Sequence, residues 1–370
     1  MNKQIPEGWK LKKLKTILNI GSGKDYKHLD KGNVPVYGTG GVMCYVDSYL
    51  YDGISVGIGR KGTINKPLLL QGKFWTIDTL FYTYNFKNVT PEFVYYKFLT
   101  VDWLKYNEAS GLPSLSKNTI EGIVLDIPPI AEQHKIATIL STWDRGIAQQ
   151  EQLIAEKKVY KQGVMQQLLT GKKRFPGFTD QWKEVKLGDV GKIKMCKRIF
   201  LDQTSTNGEI PFFKIGTLGY EPDSYIKRDL FVEYKNKYNF PNKGDVLITC
   251  SGTIGRCVQF DGKDAYFQDS NIVWLDNNEI VITNNFLYKI LQNVNWNTLN
   301  STTITRLYTT DLKSLKLKIP TLKEQEKIAS FLSAIDKEIE ILEKELEGMR
   351  TQKWGLMQQL LTGKVRVMNS

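Results

Sequence analysis

The residues of this 370-residue chain best suited to chemistry are cations set among glycines. Gly21-Ser22-Gly23-Lys24-Asp25-Tyr26-Lys27-His28 mixes bases, an aromatic and small residues on an expected loop. Gly59-Arg60-Lys61-Gly62 places two cations on a tight turn, where backbone can approach a phosphate closely. Further on, Lys194, Lys197 and Arg198 form one basic group, and Ser251-Gly252-Thr253-Ile254-Gly255-Arg256 forms another glycine-rich turn. Arginine on such a turn suits two-pronged recognition of guanine. The candidate contacts to a nucleic acid are therefore Lys24, Tyr26, Lys27, Arg60, Lys61, Lys194, Lys197, Arg198, Thr253 and Arg256. The loops carry more weight than any one side chain, because a single surface charge is ordinarily just solvated.

Other chemistries find little support. Gly57-Ile58-Gly59-Arg60-Lys61-Gly62 fits the spacing G-x-G-x-x-G, and Asp78 stands near the distance of the acidic partner that a dinucleotide site needs. That motif also needs a helix opening on the glycines, and Thr63-Ile64-Asn65-Lys66-Pro67 opens none; a turn between strands is the expectation. Cys44, Cys196, Cys250 and Cys257 form no C-x-x-C pair, and His28 and His134 are the only histidines, so no metal site is expected. Free cysteines fit a reducing, cytoplasmic setting.

Composition is that of a folded chain, 41% hydrophobic and 24% charged, long enough for two ordinary domains. The formal charge of +12 attracts polyanions, either nucleic acid or an anionic membrane. No run is long enough to span a bilayer, and the first residues lack the apolar stretch of a signal peptide.

The chain is written twice. Met165-Gln166-Gln167-Leu168-Leu169-Thr170-Gly171-Lys172 recurs unaltered as Met357-Gln358-Gln359-Leu360-Leu361-Thr362-Gly363-Lys364. The same offset superposes Ile127-Pro128 on Ile319-Pro320, Glu132-Gln133 on Glu324-Gln325, and Lys135-Ile136-Ala137 on Lys327-Ile328-Ala329. It also places Leu140, Ser141 and Asp144 on Leu332, Ser333 and Asp336. Upstream the echoes fade: Trp9-Lys10 resembles Trp182-Lys183, and Gly62-Thr63-Ile64 recurs as Gly252-Thr253-Ile254. Units whose ends match and whose middles differ read as one architecture carrying different loops.

The repeated ends predict helices. Ile328, Leu332, Ile335, Ile339, Leu342, Leu346 and Met349 follow the alternating four-and-three spacing of a coiled-coil seam, resumed by Leu356 and Leu360. The first copy has Ile136, Leu140, Trp143, Ile147, Ile154, Val164 and Leu168, with Gln150, Lys157 and Lys161 interrupting the stripe. Those polar interruptions either fix register or mark where a partner docks. Each helix starts beyond a proline and stops at a glycine, Gly171 or Gly363, so residues 132–170 make a rod of roughly 58 Å. The remainder of each unit is mixed α and β, with strands expected at 54–58, 75–82 and 245–249, helices at 91–104 and 283–294, and a hinge at 172–177.

These residues resemble the specificity subunits of type I restriction-modification systems over essentially the full length: the Trp9 and Trp182 openings, Pro129 to Gln133 with its variant Pro320 to Gln325, and the two Leu-Leu-Thr-Gly-Lys helix ends. The resemblance implies two α+β target-recognition domains, 1–130 and 172–322, related by a pseudo-two-fold and separated by two long antiparallel coiled-coil helices, 131–171 and 323–370. It implies that each domain reads half of a split duplex DNA target, and that the helices set the unread gap and bind two modification subunits. S-adenosylmethionine, ATP and Mg are then expected on partner subunits, among them motor-nuclease subunits, and none on this chain. Two other readings are a self-contained methyltransferase or nuclease, and a coiled-coil scaffold. The first lacks any N-P-P or D-P-P motif to hold a target amine and any repeated acidic cluster with a nearby lysine. Charge and loop chemistry argue against the second.

Overall fold

The computed structural model describes residues 5–296 and 306–367; part of the N-terminal stretch bearing on a signal peptide, residues 1–4, lies outside them. The chain forms two compact units, 1–152 with 343–370 and 153–342. Both build a two-stranded ribbon and a four-stranded sheet of matching order, while the second unit adds a helix at Arg228–Lys237 and arranges its other sheet differently. In the first, Lys10–Lys13 pairs antiparallel with Val124–Ile127. A four-stranded sheet runs in the order Asn19–Ser22, Leu80–Tyr84, Ser55–Gly59, Leu68–Leu70, and another in the order Gly41–Val46, Lys31–Gly38, Lys73–Thr76, Tyr51–Asp52. The second unit repeats the ribbon with Lys183–Lys186 against Lys316–Ile319. Its first sheet runs Gly191–Lys194, Ile272–Asn277, Val246–Thr249, Cys257–Gln259.

One expected strand divides. Residues 75–82 read as a single alternating run, yet the chain leaves one sheet at Thr76 and enters the other at Leu80. The Leu80 amide closes the turn on the Ile77 carbonyl at 2.9 Å. The second unit switches sheets at the same point, between Tyr266–Phe267 and Ile272–Asn277. Alternation reports which residues face a core, and it cannot tell which of two sheets supplies that core.

The predicted rods are Ile130–Leu168 and Leu322–Leu360, each of 39 residues. Gly171 and Gly363 adopt left-handed φ values of 71° and 69° past their ends. The Lys173 amide reaches back to the Gln167 carbonyl (3.1 Å) and the Val365 amide to that of Gln359 (3.3 Å), the bonding of a glycine-ended helix. Each unit is closed by the start of one rod and the end of the other. Ile136, Ala137 and Leu140 share the first core with Met357, Leu360 and Leu361. Met165, Leu168 and Leu169 share the second with Ile328, Leu332, Ile335 and Ile339. Within each unit the two segments run antiparallel. In the first, Asp144 meets Lys353, the Gln150 amide donates to Glu345 (3.3 Å) and Arg350 pairs with Glu151 (2.6 Å). In the second, Lys157 pairs with Glu338 (2.6 Å) and Lys161 with Asp336 (2.5 Å). The polar interruptions of the stripe thus find partners on the facing helix, where each acts as a register mark.

The Glu-Gln pair at each rod's start fastens it to its unit. Gln133 is fully buried; its carbonyl oxygen accepts from the Thr90 amide (2.9 Å) and its amide donates to the carbonyls of Pro128 (2.9 Å) and Asn88 (3.2 Å). Gln325 repeats this with Thr283 (2.9 Å), Pro320 and Val281 (both 3.0 Å). Thr90 and Thr283 are the N-caps of Pro91–Leu99 and Asn284–Gln292, their hydroxyls accepting from the Phe93 and Phe286 amides. Glu132 takes two bonds from Arg366 (2.8 and 2.9 Å) and one from the Trp9 indole (3.2 Å). Glu324 takes two from Arg174 (2.8 and 2.6 Å). Burial opposes the charge on Glu132, but Arg366 and Trp9 outweigh it and hold the carboxyl below its usual range.

A depressed carboxylate contributes stability that is present above its unfolded value and lost as pH falls through its folded one. Arg366→Ala should therefore destabilise the first unit by up to about 3 kcal/mol at pH 7, less than a fully buried pair because Arg366 is partly open to water. Thermal melts should show this deficit shrinking as pH falls through and below the ordinary carboxylate range, where Glu132 loses its charge.

Candidate nucleic-acid interface

In the first unit the end of Ser55–Gly59 delivers the predicted cation turn. The Arg60 amide donates to the Thr79 carbonyl (2.7 Å), the Gly62 amide to that of Pro113 (2.8 Å), and the Leu115 amide to that of Arg60 (2.9 Å). A Cβ on Gly59 would lie 2.1 Å from the Thr63 carbonyl oxygen, so only glycine lets the turn fold back this tightly. Lys24 joins the same edge: its amide bonds the Thr76 carbonyl (2.9 Å), and its own carbonyl accepts from the Trp75 indole (2.9 Å). Residues 76–79 thus bring Lys24 beside Arg60 and Lys61, and all three side chains are exposed. One guanidinium nitrogen of Arg60 reaches the Asp78 backbone carbonyl (3.4 Å), with the Phe81 ring 5.7 Å away. Lys61 keeps its ammonium in solvent. Tyr26 differs, packing half-buried on the small core of Val36, Val46 and Trp75, while Lys27 beside it is exposed.

The second unit uses the scaffold differently. The Cys250 amide donates to the Asn271 carbonyl (2.7 Å) and the Leu307 amide to that of Cys250 (2.7 Å), so Cys250-Ser251-Gly252 stand where Arg60-Lys61-Gly62 stand in the first. Thr253 is exposed on this turn. Arg256 lies beyond it, bonded to the Leu218 carbonyl (3.3 Å) and stacked 4.7 Å from the Tyr220 ring, where it ties down a neighbouring turn. Lys194 pairs with Asp276 (2.7 Å) and Arg198 with Asp269 (2.9 Å), and Lys197 lies 5.3 Å from the Tyr238 ring. Among these predicted contacts, Lys197 and Thr253 keep the freest polar ends.

Sequence reasoning passed over Arg306. It bridges Ser251 as Ser114 bridges Lys61, and donates to the Ser270 carbonyl (3.3 Å), restoring a cation to the edge whose turn has none. The repeat offset that aligns the helices also maps Arg306 onto Ser114 and was the signal for it. Burial pushes Cys196 and Cys257 up to about 12 and Cys250 up to about 11, so these thiols stay protonated near neutrality. Among the described residues no cluster of three His, Cys, Asp or Glu could hold a metal ion, and no helix is long and apolar enough to cross a membrane.

This repeated organisation is that of a known family. The type I restriction modification DNA specificity domain matches residues 6–157 and again 179–349. The chain belongs to the specificity subunits of type I restriction-modification systems. A putative specificity subunit of Haemophilus influenzae is 37% identical over 318 residues, covering 82% of this chain and 80% of that one. A crystal structure of a type I S subunit from M. genitalium aligns over 97% of both chains with a TM-score of 0.67 at 15% identity. A chain from a structure describing complex assembly and conformational transition of a type I system covers 98% of this one with a TM-score of 0.60 at 16% identity. As a specificity subunit, this protein contributes DNA-sequence recognition to its system.

Lys61 is the simplest candidate on the cation edge of the first unit, an exposed ammonium of the kind that contacts a phosphate as a point charge. Lys61→Ala should weaken binding to all duplex sequences alike and lower the slope of log affinity against log salt by about one. Titrations at several salt concentrations measure that slope, and an unchanged slope would remove Lys61 from the interface.

Proposed function

We propose that each unit reads one half of a split, asymmetric duplex target, and that partner subunits carry out methylation and cleavage. The observation that carries this reading is one scaffold repeated with unlike turns, Arg60-Lys61-Gly62 in one unit and Cys250-Ser251-Gly252 in the other. Duplex DNA has a backbone dyad, so two similar modules can approach it equivalently while different side chains read different bases. Lys24, Arg60 and Lys61 serve the first half-site, and Lys197, Thr253 and Arg306 the second. Lys27 adds phosphate contact beside Tyr26, while Lys194, Arg198 and Arg256 act from within their pairs.

This chain carries the recognition and no catalytic step. S-adenosylmethionine belongs on the modification subunits, and ATP with Mg on motor-nuclease subunits. A docking surface for a modification subunit is the groove between the rods in the second unit, about 490 Å³, lined by Leu153, Tyr160, Phe331 and Ile335 with Glu156 and Glu338. Tyr160 is 52% exposed and Val159 beside it 68%. Apolar groups of this size, rimmed by charge, are what a protein partner covers. The rods, by this reading, also set the unread gap between half-sites.

Replacing residues 1–130 with the equivalent part of another specificity subunit should change one half of the methylated motif in the host and leave the other half and the gap intact. Both halves changing together would end the modular reading. Tyr160→Asp should cut recovery of the modification subunit in co-purification at least tenfold with the melting temperature unaltered, and equal recovery would exclude this groove.

A further inference from the structure

The turn at which each unit switches sheets carries an aspartate. Register fixes the equivalence: the amides of Arg60 and Cys250 donate to the carbonyls of Thr79 and Asn271, and the amides of Ile77 and Gln268 to those of Tyr37 and Phe213. Between those landmarks the first unit has Asp78 alone and the second has Asp269 and Ser270. The extra residue is absorbed by Ser270 in a left-handed conformation, φ 50°. Sequences that differ in turn length, and in the adjoining cation turn, still place a carboxylate at the edge expected to face DNA.

Asp78 sits beside a guanidinium and does not use it. Arg60 bonds the backbone carbonyl of Asp78. The carboxylate itself is exposed and takes no hydrogen bond or ion pair among the described residues. Nor does it close its own turn, as aspartates in turns commonly do. Asp269 is 17% exposed and has one oxygen held by Arg198 at 2.9 Å. Against phosphates, an unpaired carboxylate repels, so on a surface of this charge it needs a compensating contact. In the major groove one kind of group provides it. An ionised carboxylate can only accept hydrogen bonds, and the major groove offers donors from the exocyclic amines of cytosine and adenine. The guanine and thymine oxygens in the equivalent places would face it with lone pairs.

We propose that Asp78 reads one base of the first unit's half-site by its exocyclic amine, admitting adenine or cytosine and rejecting guanine or thymine; Asp269, steadied by Arg198, does the same in the second unit. This rests on the proposal that each unit reads one half-site. It differs from the cation contacts in supplying discrimination and no affinity.

Asp78→Asn separates the two roles, because an amide of the same shape both accepts and donates. With the full chain in its host complex, the methylated motif of the wild type should contain one position limited to adenine or cytosine. In Asp78→Asn that position should admit guanine or thymine, discrimination falling roughly tenfold or more. The cognate sequence should stay methylated, the other half-site should keep its pattern, and the melting temperature should not move. Asp269→Asn should relax a position in the other half only. A wild-type motif unchanged by Asp78→Asn, or methylation lost from every sequence, would overturn this inference alone. A wild type that directs methylation to no split motif would overturn the half-site reading beneath it as well.

Discussion

The buried side-chain amide of Gln133, repeated at Gln325, is the constraint from which the recognition edge takes its position. Each glutamine engages its oxygen and its amide nitrogen inside the protein, on a helix N-cap amide and on two loop carbonyls. Such an amide is satisfied in one geometry, and displacing it strands several buried polar groups together. From Gln133 the chain of contact runs through Thr90 to Pro91–Leu99. Phe93 and Val94 of that helix share a core with Val56 and Ile58, and the strand bearing those residues ends at Gly59, next to Arg60. From Gln325 it runs through Thr283 and Phe286 to Val246 and Ile248, and ends at Cys250. In each unit the candidate recognition turn thus stands a few packed contacts from the rod.

With that frame held constant, the edge is free to differ. Arg60 and Lys61 give way to Cys250 and Ser251, and a cation returns from another loop as Arg306. The sheet-switching turn grows by Ser270 without losing its aspartate. Ser251, Ser270 and Arg306 lie outside the cores, so those changes alter the edge with little effect on packing, whereas Cys250 turns inward and joins the second core. The ion pairs of the second unit add a further difference, since Arg198 and Lys194 direct their charge first at Asp269 and Asp276.

Much of this was legible in the sequence, for reasons that particular residues make plain. The rods announced themselves because seam positions such as Leu332 and Ile335 recur at heptad spacing and the two copies end identically. The role of Gln150, Lys157 and Lys161 was half legible: their departure from the stripe was visible, but their partners lie on the other rod. The sheet switch at residues 77–79 was hidden, because alternation continues across it. The recognition edge was legible as loops and not as individuals. Tyr26 reads as a surface aromatic until Trp75 packs near it, and Arg198 reads as free until Asp269, 71 residues away, arrives beside it. Asp78 drew notice for its distance from a glycine motif, whereas its place on the edge comes from sheet pairing.

The most direct test of the account is to map methylated bases across the host genome with and without this gene. It predicts that one split motif, with two unlike halves and a fixed unread gap, is methylated when the gene is present and unmethylated when it is absent. Identical methylation in the two strains, or loss of a continuous motif in place of a split one, would contradict it.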